Sequence, residues 1–177
     1  MHRPQSNLHF KLTALAYKFR DALVPRERIL AEASIKPGMC VLDYGCGPGS
    51  YIIPVATLVG ESGKLYALDM HPLAIESVRR IAARRRLTNV HALLSDCDTG
   101  LPDEEVDRAL LYDVLHDLSN PEEVLRELRR VLRPDGVLSF SDHHLKHEEI
   151  LPGVTSGGLF KLLRQEERTY AFSPEKA

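Results

Sequence analysis

Short apolar runs alternate with segments of helical spacing from residue 39 onward. Five runs are apolar and bounded by polar or turn-forming residues, which predicts strands over residues 39–44, 64–69, 90–95, 108–114 and 136–141. Apolar positions at the helical period predict helices over residues 50–59, 71–86 and 121–132. Because strands this apolar suit a sheet covered on both faces, the alternation predicts a doubly wound α/β fold with a parallel sheet.

Residues near the ends of these segments predict where the helices begin and end. Ser50 is a candidate N-cap, and Pro72 suits the first position of the helix that it opens. Residues 133–136, Arg-Pro-Asp-Gly, predict a turn into the fifth strand. Pro54 lies inside the first helix, where an interior proline costs roughly 3 kcal/mol, so that helix either starts late or bends.

The two ends of the chain lie outside this alternation. Apolar residues at the helical period mark the N-terminal end: Leu8, Leu12, Leu15, Ala16 and Phe19. Residues 1–35 are therefore predicted to be a helical segment, and a candidate lid, ahead of one domain over residues 36–177. At the other end, residues 159–163 and 169–172 are predicted to form an antiparallel hairpin at one edge of the sheet.

Composition and charge mainly exclude certain classes of protein. Of 177 residues, 44% are hydrophobic, and 23 Lys and Arg against 25 Asp and Glu leave a net charge of −2. These values exclude a disordered chain, and no apolar run is long enough to cross a membrane. They provide no overall basic field for nucleic acid, so the arginine-rich stretch over residues 79–86 is interpreted as a solvated helix face. Three irregularly spaced cysteines and an N-terminus without an apolar signal region favour a reducing cytoplasm.

The candidate chemistry begins with a glycine-rich stretch that ends the first strand and opens a helix. Gly45, Gly47 and Gly49 let the backbone turn tightly and approach a ligand without a Cβ in the way. In open α/β sheets the ligand crevice lies at the carboxyl ends of the strands. Asp69 ends the second strand, where a carboxylate is placed to accept hydrogen bonds from ribose hydroxyls.

Three types of ligand compete for this stretch. A dinucleotide-binding fingerprint needs GxGxxG, whereas the spacing here is GxGxG, and a P-loop needs a Gly-Lys-Ser/Thr that is absent. The third alternative is a nucleoside ligand without phosphate. Asp43, just before the glycines, favours this alternative, because a carboxylate repels phosphate and attracts an ammonium or sulfonium group.

Residues 41–49, VLDYGCGPG, resemble motif I of the class I S-adenosylmethionine-dependent methyltransferases. Four later segments resemble the family's further motifs in order: LYALDM, LLSDCDTGLP, DRALLYDVLHDL and LRRVLRPDGVLSFSD. The resemblance implies a Rossmann-like sheet of seven strands in the order 3-2-1-4-5-7-6, with the last strand antiparallel. It also implies S-adenosylmethionine as the cofactor, and the pattern is closest to the small-molecule branch that includes the ubiquinone/menaquinone methyltransferases.

The same resemblance implies roles for individual residues. Four residues of the glycine-rich stretch would line the methionine portion of the cofactor: Gly45, Cys46, Gly47 and Gly49. Asp43 would orient the ammonium group and Asp69 would bind the ribose. Met70 would pack on one face of the adenine, and Asp96 would contact its amino group. Cys97, beside Asp96, would contribute through its backbone.

Candidate catalytic residues follow the fourth and fifth strands. Methyl transfer depends mainly on alignment, and a base is needed only if the acceptor must lose a proton. His116 and His144 are the candidate bases, with Asp113 beside them, since an imidazole titrates near neutral pH. The alternative interpretation is that these are exposed loop histidines. A candidate metal cluster is formed by Asp142, His143, His144 and His147, in which His143 and His147 have the spacing to share a helix face. Methyl transfer requires no metal, and no metal site is expected.

The predicted function is methyl transfer from S-adenosylmethionine to a small-molecule acceptor by in-line displacement. A methyltransferase that acts on protein or RNA is the alternative, and a non-catalytic subunit that binds S-adenosylmethionine is another. The charge balance argues against a nucleic-acid partner, no membrane partner is expected, and a homodimer is compatible with the sequence.

Overall fold

A mixed sheet of seven strands organises the part of the chain that the computed structural model describes, residues 26–175. The strands are β1 Cys40–Tyr44, β2 Lys64–Asp69, β3 Val90–Leu94, β4 Val106–Tyr112, β5 Leu132–Ser141, β6 Phe160–Gln165 and β7 Tyr170–Pro174. Their spatial order is β3-β2-β1-β4-β5-β7-β6, which confirms the predicted topology. The first five strands are parallel, and β7 runs antiparallel to β5 and β6, so the predicted hairpin is confirmed.

Helices cover both faces of this sheet. They are α1 Glu27–Glu32, α2 Ile52–Val59, α3 Pro72–Arg85, α4 Pro121–Val131 and α5 His147–Thr155, with a 3-10 turn at Leu115–Asp117. The two faces bury separate apolar clusters, because alternate residues of β1 point to opposite sides: Val41 packs with α2 and α3, and Leu42 packs with α4. Every residue of β1 is buried, as expected for the central strand of a sheet covered twice.

The start of α2 differs from the prediction. The N-cap residue is Tyr51, and Ser50 makes no capping contact there. Pro54 is consequently the third residue of the helix. The amide groups of the first turn have no intrahelical acceptor, so a proline in this position removes no hydrogen bond. The helix starts late rather than bending.

The predicted turn over residues 133–136 is wrong in its placement, because these residues lie within β5. The register against β4 pairs Val106 with Leu132 and then Arg108 with Val137, so the residues between them form a bulge. Arg133 contacts β4 from this bulge through an ion pair of 3.0 Å with Asp107. Contacts between β4 and β5 therefore keep residues 133–136 in an irregular part of the strand, although their local sequence favours a turn.

Helix α5 was not predicted from the sequence. Pro152 and Gly153 lie inside it, and both residues weaken a helical pattern when they are read locally. The helix forms because Ile150 and Val154 are buried against the sheet, and because the Lys146 amide donates to the Glu149 carboxylate at 2.8 Å. The predicted helical segment before Arg26 lies outside the described residues, and the boundary at residue 35 stays a prediction.

We expect Leu128→Ala to destabilise the fold by about 2–5 kcal/mol, because Leu128 is fully buried between α4 and the sheet. Leu163→Ala is the matched control, since this leucine is 53% exposed on β6 and its loss should cost less than about 0.5 kcal/mol. Urea denaturation measures both free energies of unfolding. Equal decreases in the free energy of unfolding for the two variants would contradict the burial of Leu128 in the core.

Candidate functional site

The glycine-rich loop after β1 lies at the edge of the sheet where the carboxyl ends of the parallel strands meet. The amides of Gly45 and Cys46 both donate to the Leu68 carbonyl of β2, at 2.8 and 2.9 Å. Gly45, Gly47 and Gly49 have φ of +75°, +53° and +98°, a region that side chains strongly disfavour. At these three positions the loop therefore consists of backbone without side chains.

Close contacts make two of these glycines necessary. A Cβ on Gly45 would lie 2.5 Å from Cγ2 of Val114, and one on Gly49 would lie 2.8 Å from Cδ1 of Ile81. Both distances are far below van der Waals contact. Val114 follows β4, so this contact places the β4 loop directly against the glycine-rich loop.

Asp43 presents a buried carboxyl group at the start of the glycine-rich loop. Its residue is only 2% exposed, and its Oδ2 has no hydrogen-bond partner among the described residues. Burial, with a smaller contribution from the negative charge of Asp69, raises the pKa of Asp43 from its ordinary 3.8 to about 7. A buried carboxyl oxygen without a partner is costly, and a cationic ligand is the group that would compensate it.

Asp69 is oriented by two backbone amides at the end of β2. Its Oδ2 accepts from the Gly47 amide and its Oδ1 from the His71 amide, both at 2.8 Å. Burial raises the pKa of Asp69 despite these hydrogen bonds, which favour the ionised form. Each carboxylate oxygen keeps a further lone pair, so the group can still accept from a ligand hydroxyl. Met70, beside it, is half-buried.

The loop after β3 is connected to the same edge through Tyr44. The Tyr44 hydroxyl donates to the Asp96 carbonyl at 2.9 Å, and burial raises the pKa of Tyr44, so the phenol remains a donor. The Asp96 side chain is exposed and Cys97 is half-buried. This positioning role of Tyr44 was missed, because nothing local in the sequence shows which backbone carbonyl a strand-end tyrosine reaches.

Cys46 does not have the environment of a nucleophile. It is buried, and burial raises the pKa of its thiol well above the ordinary value, so the neutral thiol dominates. It acts as a small residue that packs against the core beneath the loop.

Three imidazole rings lie together where β4 and β5 end. The ring of His144 lies between those of His116 and His143, with centroid distances of 4.1 and 3.9 Å. Asp142 and Asp113 contact the outer two rings: His116 Nδ1 is 2.9 Å from Asp142 Oδ2, and His143 Nδ1 is 2.6 Å from Asp113 Oδ1. The structure thus brings together the predicted Asp113, His116 and His144, and it adds Asp142 and His143, for which the sequence had suggested only a metal-binding role.

His143 and His147 do not share a helix face, so the prediction that they could hold a metal together is wrong. His147 is the first residue of α5, and its Nδ1 contacts the Tyr170 hydroxyl instead. Within residues 26–175, no group of three or more His, Cys, Asp or Glu side chains has the arrangement to bind a metal ion. Over the same residues, every helix is too short or too polar to cross a membrane.

Known proteins resemble this chain in sequence and in fold. A family model described as a methyltransferase domain matches residues 35–176. A solved structure of an S-adenosylmethionine-dependent methyltransferase from Aquifex aeolicus is 30% identical, with a TM-score of 0.76 over 88% of this chain and 90% of that one. The chain belongs to the S-adenosylmethionine-dependent methyltransferase family. The observed sheet order is therefore that of the methyltransferase fold.

Curated relatives of this methyltransferase have names that specify different acceptors. The ribosomal protein L11 methyltransferase of Burkholderia mallei is 32% identical over 111 residues, which are 62% of this chain and 34% of that protein. The demethylmenaquinone methyltransferase of a Geobacillus species is 27% identical over 129 residues, 72% of this chain and 55% of that protein. The chain thus spans between a third and about half of the length of these relatives.

We expect Gly45→Ala to destabilise this methyltransferase more than Gly100→Ala. Both glycines have positive φ, but only at Gly45 would the added Cβ collide with Val114, since nothing lies within 4 Å of a Cβ at Gly100. A cost of about 1–3 kcal/mol beyond the control is expected from the collision. Thermal unfolding of the two variants measures it, and similar melting temperatures would contradict the contact.

We expect the stability of the ligand-free methyltransferase to fall as the pH rises from about 4 to about 7. Over this range the folded protein keeps a proton on Asp43 that the unfolded chain releases, so rising pH favours unfolding. Asp43→Asn should remove up to about 4 kcal/mol of this pH dependence, because the amide is neutral throughout. Urea denaturation at both ends of the range measures it. Asp135→Asn, on the exposed bulge of β5, is the control that should leave the pH dependence unchanged.

Proposed function

We propose that this chain transfers a methyl group from S-adenosylmethionine to a small-molecule acceptor. The observation that carries the proposal is the buried, unpartnered Oδ2 of Asp43 beside a loop built from backbone. A carboxyl group in this position suits the ammonium of the methionine portion, and it would repel a phosphate. The donor set therefore fits S-adenosylmethionine and does not fit a dinucleotide.

The residues around Asp43 fit the rest of the cofactor. We assign the methionine portion to the glycine-rich loop, formed by Gly45, Cys46, Gly47 and Gly49. Asp69 has lone pairs left for the ribose hydroxyls, and half-buried Met70 is placed for an adenine face. Asp96 and Cys97, in the loop that Tyr44 contacts, are assigned to the adenine amino group.

The chain contributes alignment and, where needed, proton removal. Bound S-adenosylmethionine supplies an electrophilic methyl group on a sulfonium. The glycine-rich loop and the two aspartates position that group, which is the main requirement of an in-line displacement. His116 and His144, with Asp113 nearby, are the candidate groups that accept a proton from the acceptor.

Two observations support a small-molecule acceptor over a macromolecule. The net charge of −2 provides no general attraction for RNA, and the relative named for demethylmenaquinone acts on a small molecule. This also supports placement near the ubiquinone/menaquinone branch. The second candidate is a protein acceptor, which the relationship to the ribosomal protein L11 methyltransferase favours. We place residues 1–35 as a candidate lid over the acceptor, and a reducing cytoplasm as the compartment.

Isothermal titration with S-adenosylhomocysteine, the product of the cofactor, tests the binding assignment. We expect Asp69→Ala to weaken binding by about 10-fold or more, because a charge-assisted hydrogen bond is lost. Asp135→Ala, at the opposite end of the sheet, should bind like the unaltered chain. Circular dichroism shows whether Asp69→Ala keeps the fold, since this carboxylate also accepts two backbone amides. Absence of binding by the unaltered chain would overturn the assignment.

Incubation of a cell extract with the protein and methyl-labelled S-adenosylmethionine tests the acceptor class. We expect the label in the low-molecular-mass fraction, resistant to protease and nuclease. Label lost on protease treatment would replace the proposal with the protein acceptor, and label lost on nuclease treatment would replace it with RNA. Binding of S-adenosylhomocysteine without any labelling would favour a non-catalytic subunit.

A further inference from the structure

Asp142 is the more enclosed of the two carboxylates that contact the stacked imidazole rings. It follows β5, and its side chain is 0% exposed. Its Oδ2 accepts from the His116 amide at 3.2 Å, and its Oδ1 accepts from the His144 amide at 3.1 Å. These two hydrogen bonds fix the plane of the carboxylate, so it cannot turn away from the His116 ring.

This fixed carboxylate determines which nitrogen of His116 carries the proton. Nδ1 of His116 lies 2.9 Å from Asp142 Oδ2, an oxygen that already accepts a backbone amide. Nε2 is farther from a carboxylate, at 3.5 Å from Oδ2 of the exposed Asp117. The nitrogen with the shorter contact to the buried carboxylate is the donor, so in neutral His116 the proton is on Nδ1 and the lone pair is on Nε2. A free imidazole prefers the opposite tautomer, and Asp142 therefore imposes the one that exposes a basic Nε2.

Ring stacking fixes the orientation of the same imidazole. The His144 ring lies against His116 with a centroid distance of 4.1 Å, and His143 lies against the other side of His144 at 3.9 Å. Asp113 contacts His143, the ring at the other end of the stack. The backbone of Asp113 has a φ of +56°, a conformation that persists only where the surroundings enforce it. The stack leaves His116 little freedom to rotate.

The position of His116 relative to the cofactor loop comes from the chain between β4 and the 3-10 turn. Val114 is two residues before His116, and it is the residue that approaches Gly45 so closely that no Cβ fits there. The imidazole is therefore carried by the segment that packs against the loop that the proposed function assigns to the methyl donor. The His116 side chain is 21% exposed, which leaves it accessible to an acceptor.

We propose that Asp142 is a positioning residue that presents His116 Nε2 as the base for an acceptor hydroxyl of the phenol or enol class. This proposal rests on the proposed function. A hydroxyl is the acceptor that needs such a base, because thiols ionise readily and neutral amines already have a lone pair to attack with. A hydroxyl proton must leave for the oxygen to become a strong nucleophile.

The step balances in atoms and charge. The O–H bond of the acceptor breaks and its proton binds His116 Nε2, while the oxygen forms a bond to the methyl carbon. The bond between that carbon and the sulfonium sulfur breaks, and its electron pair remains on sulfur. The positive charge thus moves from sulfur to the imidazolium, which Asp142 stabilises. Asp117, with Oδ2 3.5 Å from Nε2 and a side chain that is 65% exposed, provides a route for the proton to water.

Nitrogen-15 NMR of histidine-labelled protein tests the positioning without any acceptor. We expect His116 in the unaltered chain to show the Nδ1–H tautomer. Asp142→Ala should shift it toward Nε2–H, whereas the matched Asp113→Ala should leave His116 unchanged and alter His143 instead. Backbone amide spectra identify a variant that fails to fold. An Nε2–H tautomer at His116 in the unaltered chain would overturn the proposal whatever the variants do.

Methyl transfer from labelled S-adenosylmethionine to paired acceptors tests the hydroxyl class. The probes are phenols, naphthols and enolic diketones, with an arenethiol partner for each aryl alcohol, at about pH 8, where an arenethiol is already an anion. We expect His116→Ala to lower kcat for the hydroxyl compounds by about 100-fold or more and to change the thiols by less than about threefold. Asp142→Ala should lower kcat in the same selective way with KM little changed.

The outcomes separate this proposal from the proposed function. An equal loss for hydroxyl and thiol acceptors would mean that His116 has only a structural role, which overturns the proposal. If the unaltered chain binds S-adenosylhomocysteine but methylates none of the hydroxyl probes, the hydroxyl class is wrong while cofactor binding stands. If the chain does not bind S-adenosylhomocysteine, the proposed function itself fails.

Discussion

Complete burial of β1 places the Asp43 carboxyl group inside the protein with no hydrogen-bond partner on Oδ2 among the described residues. At the carboxyl end of a strand that is covered on both faces, the layers on the two sides separate and leave a crevice. The chain leaves the sheet there through a loop of backbone, because Val114 and Ile81 fill the space that side chains on the loop would need. The cost of the unpartnered carboxyl group is the structural reason for assigning a cation to this position.

The packing around the glycine-rich loop also connects this loop to the segment that carries His116. The glycine-rich loop is held against β2 by the Leu68 carbonyl and against the β4 loop by Val114. Because the β4 loop continues directly into the 3-10 turn, the contact at Gly45 also sets the position of His116. The glycine-rich loop and the segment that carries His116 thus share a packing contact, and displacing Val114 would disturb both.

The histidine cluster shows how a sheet edge can arrange polar groups rigidly. Adjacent parallel strands deliver Asp113 and Asp142 side by side, since β4 and β5 pair up to Tyr112 and Ser141. Each carboxylate contacts the histidine that follows the other strand, Asp113 with His143 and Asp142 with His116. This crossed arrangement links the two loops, so the rings between them stack in fixed positions instead of moving as separate loop residues.

Local patterns in the sequence determined most of the strands and helices, the glycine-rich loop and the residues at the strand ends, because each depends on spacing over a few residues. The strand order came from the resemblance to the methyltransferase family, because local spacing does not specify which strands are neighbours. Helix α5, the bulge in β5 and the late start of α2 depended on burial and on contacts between strands, which overrode the local signals of Pro152, the 133–136 turn and Ser50. Asp142 and His116 are likewise far apart along the chain. Only the tertiary structure decided their pairing, because a hydrogen bond depends on the position of two atoms in space, which the periodicity of a sequence does not contain.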